Sequence, residues 1–286
     1  MYEIRMFGGL EVRTRGVRLA GGDFGGVEPR HILALLALHG TLGRTDLVDL
    51  LWEGHPPDDH AAVLASHVGT LRARLDPDGS GRAPVRPAGA AGFALDADRA
   101  RTDVARFDEL VGAARGRTPV RALPPLTAAV HLAGRPLLAG EDERGWAAEA
   151  REHYRNRLLE ALLGAADQAL VTGEPATARD LAGRVLALEP RAERGWFVTM
   201  AAHRALGDRV AALRAYEECR RTLVGGLAVE PSPPVRALFM DVLRDGGSLD
   251  GVDARVGYRA ARRGRGARRS AAAGRRSEVP PAVLDR

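Results

Sequence analysis

The chain of 286 residues carries 42 basic and 37 acidic side chains, and every basic residue is arginine. Without lysine it cannot build a Walker-type phosphate loop, the ATP-pairing lysine of a kinase or a Schiff base, which excludes those enzyme classes. The single cysteine, Cys219, excludes an internal disulfide and a cysteine-rich zinc site and predicts a reducing compartment.

At roughly 150 residues per domain, the length predicts two domains, each able to bury a core. Met1 to Phe7 mixes charged with apolar residues and lacks the apolar stretch of a signal peptide. The longest apolar run, Ile32 to Leu38, falls well short of the ~20 residues that span a bilayer. A soluble cytoplasmic (nucleoid-associated) protein with no membrane partner is expected. The charge is uneven: residues 1–100 hold 11 arginines against 13 acids, 101–250 hold 21 against 21, and 251–286 hold 10 against 3. The positive surplus therefore sits in the tail, around Arg262-Arg263-Gly264-Arg265-Gly266-Ala267-Arg268-Arg269. Poor in large apolar residues, that tail is expected to be disordered. It reads as a solvated terminus or as a non-specific phosphate-binding arm.

From the N-terminus, the alternation at Ile4, Met6, Leu10 and Val12, with a return at Val17-Arg18-Leu19, predicts strands, and Arg15-Gly16 a hairpin turn. Gly21 to Gly26 is a glycine-rich loop without the spacing of a nucleotide-binding fingerprint. Pro29 opens a first helix that stops at Gly40. A second helix spans about Thr45 to Trp52, ended by Gly54 and Pro56-Pro57. Asp58 and Asp59 suit the N-cap of a third, running to about Leu75. Val85-Arg86 and Phe93-Ala94-Leu95, joined by a turn at Gly89 to Gly92, predict a second hairpin.

The third helix is the informative one. Leu64, Val68, Leu71 and Leu75 form one apolar stripe. The opposite side holds Ala62, Ser66, Gly69, Thr70 and Ala73, flanked by Arg72 and Arg74, with no acid. Small residues permit close approach, and hydroxyls and arginines bind phosphates or base edges, so this side predicts DNA contact.

Leu47-Val48-Asp49-Leu50-Leu51-Trp52-Glu53-Gly54-His55-Pro56-Pro57, with Leu64-Ala65-Ser66-His67-Val68-Gly69-Thr70-Leu71-Arg72-Ala73-Arg74-Leu75, resembles the winged-helix domain of the Streptomyces antibiotic regulatory protein family. These are transcriptional activators with an OmpR-type DNA-binding domain. Arg86 to Leu95 resembles their wing and Ala105-Arg106-Phe107 the start of their second domain. The resemblance covers residues 1 to about 245 and implies binding of direct repeats near a promoter and recruitment of RNA polymerase holoenzyme. The third helix would enter the major groove and the wing touch the minor groove. Binding to double-stranded promoter DNA would favour a head-to-tail dimer formed on it. Three features depart from the family: Gly69-Thr70 replaces its usual Ser-Arg pair, Glu28-Pro29 its Lys-Gln, and the first hundred residues are net acidic.

From Thr102 to Arg244, Ala, Leu and Arg recur at helical spacing. Breaks are expected at 116–119, Pro124-Pro125, 134–140, Gly173, Glu189-Pro190, Gly207-Asp208 and Gly225-Gly226. Gly173-Glu174 and Gly207-Asp208 lie 34 residues apart, the tetratricopeptide period. Ala178 and Ala212 fall in register, with Trp196, Tyr216 and Pro190 at the repeat's aromatic and terminating positions. The resemblance implies the bacterial transcriptional activator domain here, closed by Glu230 to Leu238.

The expected fold is therefore mostly α with small β elements. A winged helix-turn-helix domain (1–98) precedes a tetratricopeptide-like helical-hairpin domain (101–246) and a disordered arginine-rich tail (247–286). The expected DNA contacts are Ser66, Thr70, Arg72 and Arg74, with Arg86 from the wing and Arg30 on a phosphate. The eight histidines form no His-x-x-x-His pair, Glu141-Asp142-Glu143 reads as a solvated turn, and Cys219 as an inert buried thiol. Neither enzymatic activity, cofactor nor metal is expected. The competing reading is an interaction scaffold whose DNA-binding face is degenerate.

Overall fold

The structure, a computed structural model, describes residues 1–89, 92–141 and 144–245. The tip of the expected wing (90–91), two acids of the 141–143 cluster and the arginine-rich tail with its expected disorder lie outside the described residues.

Strand β1 (Tyr2–Arg5) alternates buried and exposed residues and pairs antiparallel with β2 (Glu11–Thr14), which pairs with β3 (Val17–Ala20). The β2–β3 turn is Arg15-Gly16, both at positive φ (48° and 79°), as a two-residue turn matching strand twist requires. A 3-10 turn (Gly21–Phe24) then leads into α1 (Val27–His39). Helix α1 begins two residues before the expected Pro29, which lies in its first turn, where a missing N–H has no carbonyl to lose. After β4 (Thr41–Gly43) come α2 (Arg44–Trp52) and α3 (His60–Leu75), packed on each other and on α1. Hairpin β5 (Val85–Ala88) and β6 (Gly92–Leu95) joins β4 in a three-stranded sheet of order β4-β6-β5. Strand β7 (Ala100–Thr102) runs parallel to β1 and completes a four-stranded sheet of order β3-β2-β1-β7. Three helices between two small sheets are the winged-helix arrangement expected.

Helix α4 (Asp103–Ala114) starts at Thr102, whose hydroxyl accepts from the Ala105 N–H at 3.1 Å. The Asp103 carboxylate accepts from the Met6 and Phe7 N–H groups at 2.9 Å. Helix α5 (Pro119–Leu132) passes through Pro124-Pro125, where a break was expected. Two missing N–H groups are tolerated because Leu123, Leu126, Ala129 and Val130 are buried along the helix. The 136–139 segment then returns to β1: Gly8 donates to the Pro136 carbonyl and Leu138 to that of Met6, both at 2.8 Å. Phe7, Phe107 and Tyr154 meet edge-on with centroids 5.6–6.1 Å apart. These bonds and rings belong to the first compact unit, which extends to Ala165.

The second unit begins at Ala166, within α6 (Gly145–Thr172), and holds α7 (Pro175–Leu188), α8 (Glu193–Ala205), α9 (Arg209–Leu227) and α10 (Pro233–Arg244). Turns at Gly173 and Gly207, both at positive φ, separate successive helices as the 34-residue period predicts. Ala178 and Ala212 are fully buried, small residues that let neighbouring helices approach. Tyr216 stacks on Phe239 at 3.9 Å, and Trp196 donates to the Pro190 carbonyl at 2.8 Å. Helix α9 runs through Gly225-Gly226, another expected break, and ends at Leu227. No described helix is long and apolar enough to cross a membrane.

Candidate nucleic-acid interface

Helix α3 is oriented by its stripe. Leu64, Val68, Leu71 and Leu75 are all buried, and burial of four such side chains is worth about 1.5–3 kcal/mol each. The outward side is Ala61, Ala62, Ala65, Ser66, Gly69, Arg72 and Ala73, all exposed, with Arg74 beside them. The helix contains no acidic residue, and Arg72 and Arg74 occupy its last turn, where the helix dipole favours cations. Neither forms an ion pair among the described residues. At the other end Asp59 takes the N-cap position, but only its backbone carbonyl engages, accepting from Ala62 and Val63 at 2.9 and 3.1 Å.

The other expected site residues divide. Ser66 is exposed. Thr70 is half-buried, and an ideal Cβ built on Gly25 would lie 2.5 Å from its methyl carbon. Arg86 projects from β5 with its side chain 57% exposed, 3.8 Å from Asp96, a loose pair at the edge of ion-pair range. Arg30 is placed differently from the others: its Nε lies 2.8 Å from Glu141 Oε2, with only 17% of the side chain exposed, so its charge faces an acid of the same unit.

The same contact overturns the expectation that Glu141 is a solvated acid. His31, itself buried, lies 3.6 Å from the same oxygen and edge-on to Trp146 at 5.5 Å. Burial pushes the Glu141 carboxyl up, but His31 and Arg30 outweigh it and hold it below the ordinary range. No short-range pattern announces this pairing across more than a hundred residues.

Sequence reasoning also missed Arg44. It is the first residue of α2, exposed, with its guanidinium carbon 5.8 Å from the centroid of Phe93 in β6. Arg86 pairs with Ala94, the next residue of β6, so two arginines flank one hairpin. Its signal was the step from Gly43 into a helix whose third residue, Asp46, accepts the Gly43 N–H at 3.2 Å. At the neck of that hairpin, a Cβ on Gly92 would meet the Leu42 carbonyl oxygen at 2.2 Å, so only glycine fits there.

The electrostatics are clearer by contact than by count. Glu11 is occupied by Arg13 and Arg18, Asp78 by Arg15, and Asp96 by Arg86 and Arg99. Arg44, Arg72 and Arg74 have no such partner among the described residues. A net-acidic first hundred residues therefore still present unneutralised arginines on α3 and beside the hairpin.

Residues 102–243 match the family model of the bacterial transcriptional activator domain. The chain is 29% identical over 253 residues to the transcriptional regulator RedD of Streptomyces coelicolor, covering 84% of this chain and 70% of that protein. It is 32% identical over 232 residues to the regulatory protein AfsR of the same organism, covering 77% of this chain and 22% of AfsR. Among solved structures, Mycobacterium tuberculosis EmbR in complex with a low-affinity phosphopeptide has the same fold at 22% identity. The TM-score is 0.73, covering 95% of this chain and 70% of that one.

Proposed function

Because the chain belongs to the Streptomyces antibiotic regulatory protein family of transcriptional activators, we propose that α3 reads direct repeats beside the promoters of a biosynthetic gene cluster. The chain is a DNA-binding transcriptional regulator. The observation that carries the assignment of α3 is its outward side: small residues, Ser66 and two arginines without an ion-pair partner among the described residues, with no acid in sixteen residues. Small side chains bring the helix backbone close to the groove floor, and Arg72 and Ser66 supply the donors for base edges or phosphates. Arg44 and Arg86 hold the phosphates on either side of the hairpin, which lies along the neighbouring minor groove. The helices of the second unit make the protein contact that brings in RNA polymerase, and direct repeats place two copies head to tail on DNA.

The test is a titration of the purified full-length chain against the duplex upstream of its own coding region and a scrambled duplex, across salt. A preference for the native duplex that persists near physiological salt is the expected result. Equal binding to both, steeply lost with salt and abolished by removing residues 251–286, would leave only counterion release by the tail, and the scaffold reading would stand instead.

A further inference from the structure

The helical stripe places Thr70 among the DNA contacts, between Ser66 and Arg74 along one edge of α3, but its surroundings give it different work. We propose that Thr70 is a positioning residue: its methyl, seated on the bare backbone of Gly25, sets the aim of α3, and its hydroxyl does not read DNA. The inference rests on the reading of α3 as the recognition helix.

Gly25 closes the 3-10 turn that precedes α1. Its φ is +91°, a region L side chains rarely adopt, and its N–H donates to the Gly22 carbonyl at 3.0 Å. Phe24, its neighbour, is fully buried, so the turn is anchored in the core. An ideal Cβ at Gly25 would lie 2.5 Å from Thr70 Cγ2, far inside the ~3.5–4.0 Å at which carbon atoms rest. The same point is 3.7 Å from Arg74 Cγ, one turn further along. Two successive side chains on one edge of α3 thus straddle a stretch of backbone stripped of any side chain. Threonine suits the contact: branching at Cβ restricts χ1 in a helix, so the methyl has few places to go.

The consequence concerns specificity. The outward side of α3 has few groups able to form hydrogen bonds, and base readout depends on donors reaching acceptors within a few tenths of an ångström. Losing the methyl leaves a gap beside Gly25 into which α3 tilts, and Ser66 and Arg72 tilt with it. Losing only the hydroxyl leaves the contact intact.

Valine and serine separate the two roles. Thr70→Val keeps the methyl that meets Gly25 and discards the hydroxyl, while Thr70→Ser does the reverse, and all three residues have comparable helix propensity. The probe is a duplex enriched by the wild-type chain from a randomised DNA pool, compared with its scrambled form at a temperature where circular dichroism shows every variant folded. Thr70→Val is expected to discriminate as the wild type does. Thr70→Ser is expected to lose about tenfold in discrimination, the order of one lost base contact, with non-specific affinity unchanged. Serine retaining discrimination, or valine losing it, overturns the proposal. Failure of the wild-type chain to enrich any sequence overturns both this inference and the reading of α3.

Discussion

Arg72 and Arg18 are both exposed arginines, yet their circumstances differ. Arg18 Nε lies 2.5 Å from Glu11, an acid it shares with Arg13, so its charge is partly matched and its side chain is held at the sheet. Arg72 faces outward from α3 with no partner among the described residues. Arg72→Ala is expected to weaken binding to the specific duplex by about tenfold, the scale of one arginine contact, and Arg18→Ala by much less. Equal losses in the same titration would show that α3 is not the reading element. The sole cysteine offers a second check. Cys219 is fully buried in α9, and burial with the nearby Glu193 pushes its thiol up to about 12. Near neutral pH, alkylation of the native chain should therefore run orders of magnitude slower than in denaturant, at a rate set by opening of α9. A fast native reaction would mean that α9 opens readily. Residue identity alone made both features legible: a thiol on the apolar side of a helix, an arginine on the polar side. It could not reveal Arg30, whose partner Glu141 lies far away in the chain and becomes a neighbour only on folding.

At the scale of elements, what the sequence reveals is periodicity and punctuation. The stripe of α3 and the glycine turns at 173 and 207 depend only on neighbours within a few turns, and they stand where expected. Pro124-Pro125 and Gly225-Gly226 read as breaks because local propensity disfavours helix there, yet α5 and α9 continue through them. In α5, burial of Leu123 and Leu126 on either side outweighs the local cost, a term invisible to propensity, whereas α9 ends one residue past its glycines, at Leu227. The end of α10 shows another long-range device. Arg209 donates to the Val242 and Leu243 carbonyls at 3.0 and 2.8 Å, in the last turn of the helix. Arg204 grips Asp245 with two bonds, at 2.6 and 3.1 Å. Arg209→Ala should cost about 1 kcal/mol, discounted for its exposure, and appear as a lower thermal midpoint with the fold otherwise intact. Arg204→Lys should not substitute for arginine, because an ammonium cannot make the paired fork. An unchanged midpoint in both variants would mean that the end of α10 needs no clamp.

For the molecule as a whole, net charge was the least informative quantity and its pairing the most. The acidic balance of residues 1–100 argued against a DNA-binding surface until the structure showed which arginines its acids occupy. The same pairing sets a dependence on pH. Glu141 is held below its ordinary value of 4.5, so the folded chain binds its proton less readily than the unfolded chain does. Stability from this group is therefore fully present above 4.5 and is lost as pH falls through the depressed folded value. Asp103 opposes it. Burial raises its carboxyl despite the Phe7 and Met6 N–H bonds, so the folded state favours its protonated form and gains as pH falls through that raised value. Glu141→Gln removes the acid-labile part and leaves Arg30 buried without a counter-charge. It should lower the denaturant midpoint near neutral pH and flatten its decline below 4.5 relative to the wild type. Parallel pH profiles for the two proteins would show that the Arg30–His31–Glu141 cluster does not govern acid stability.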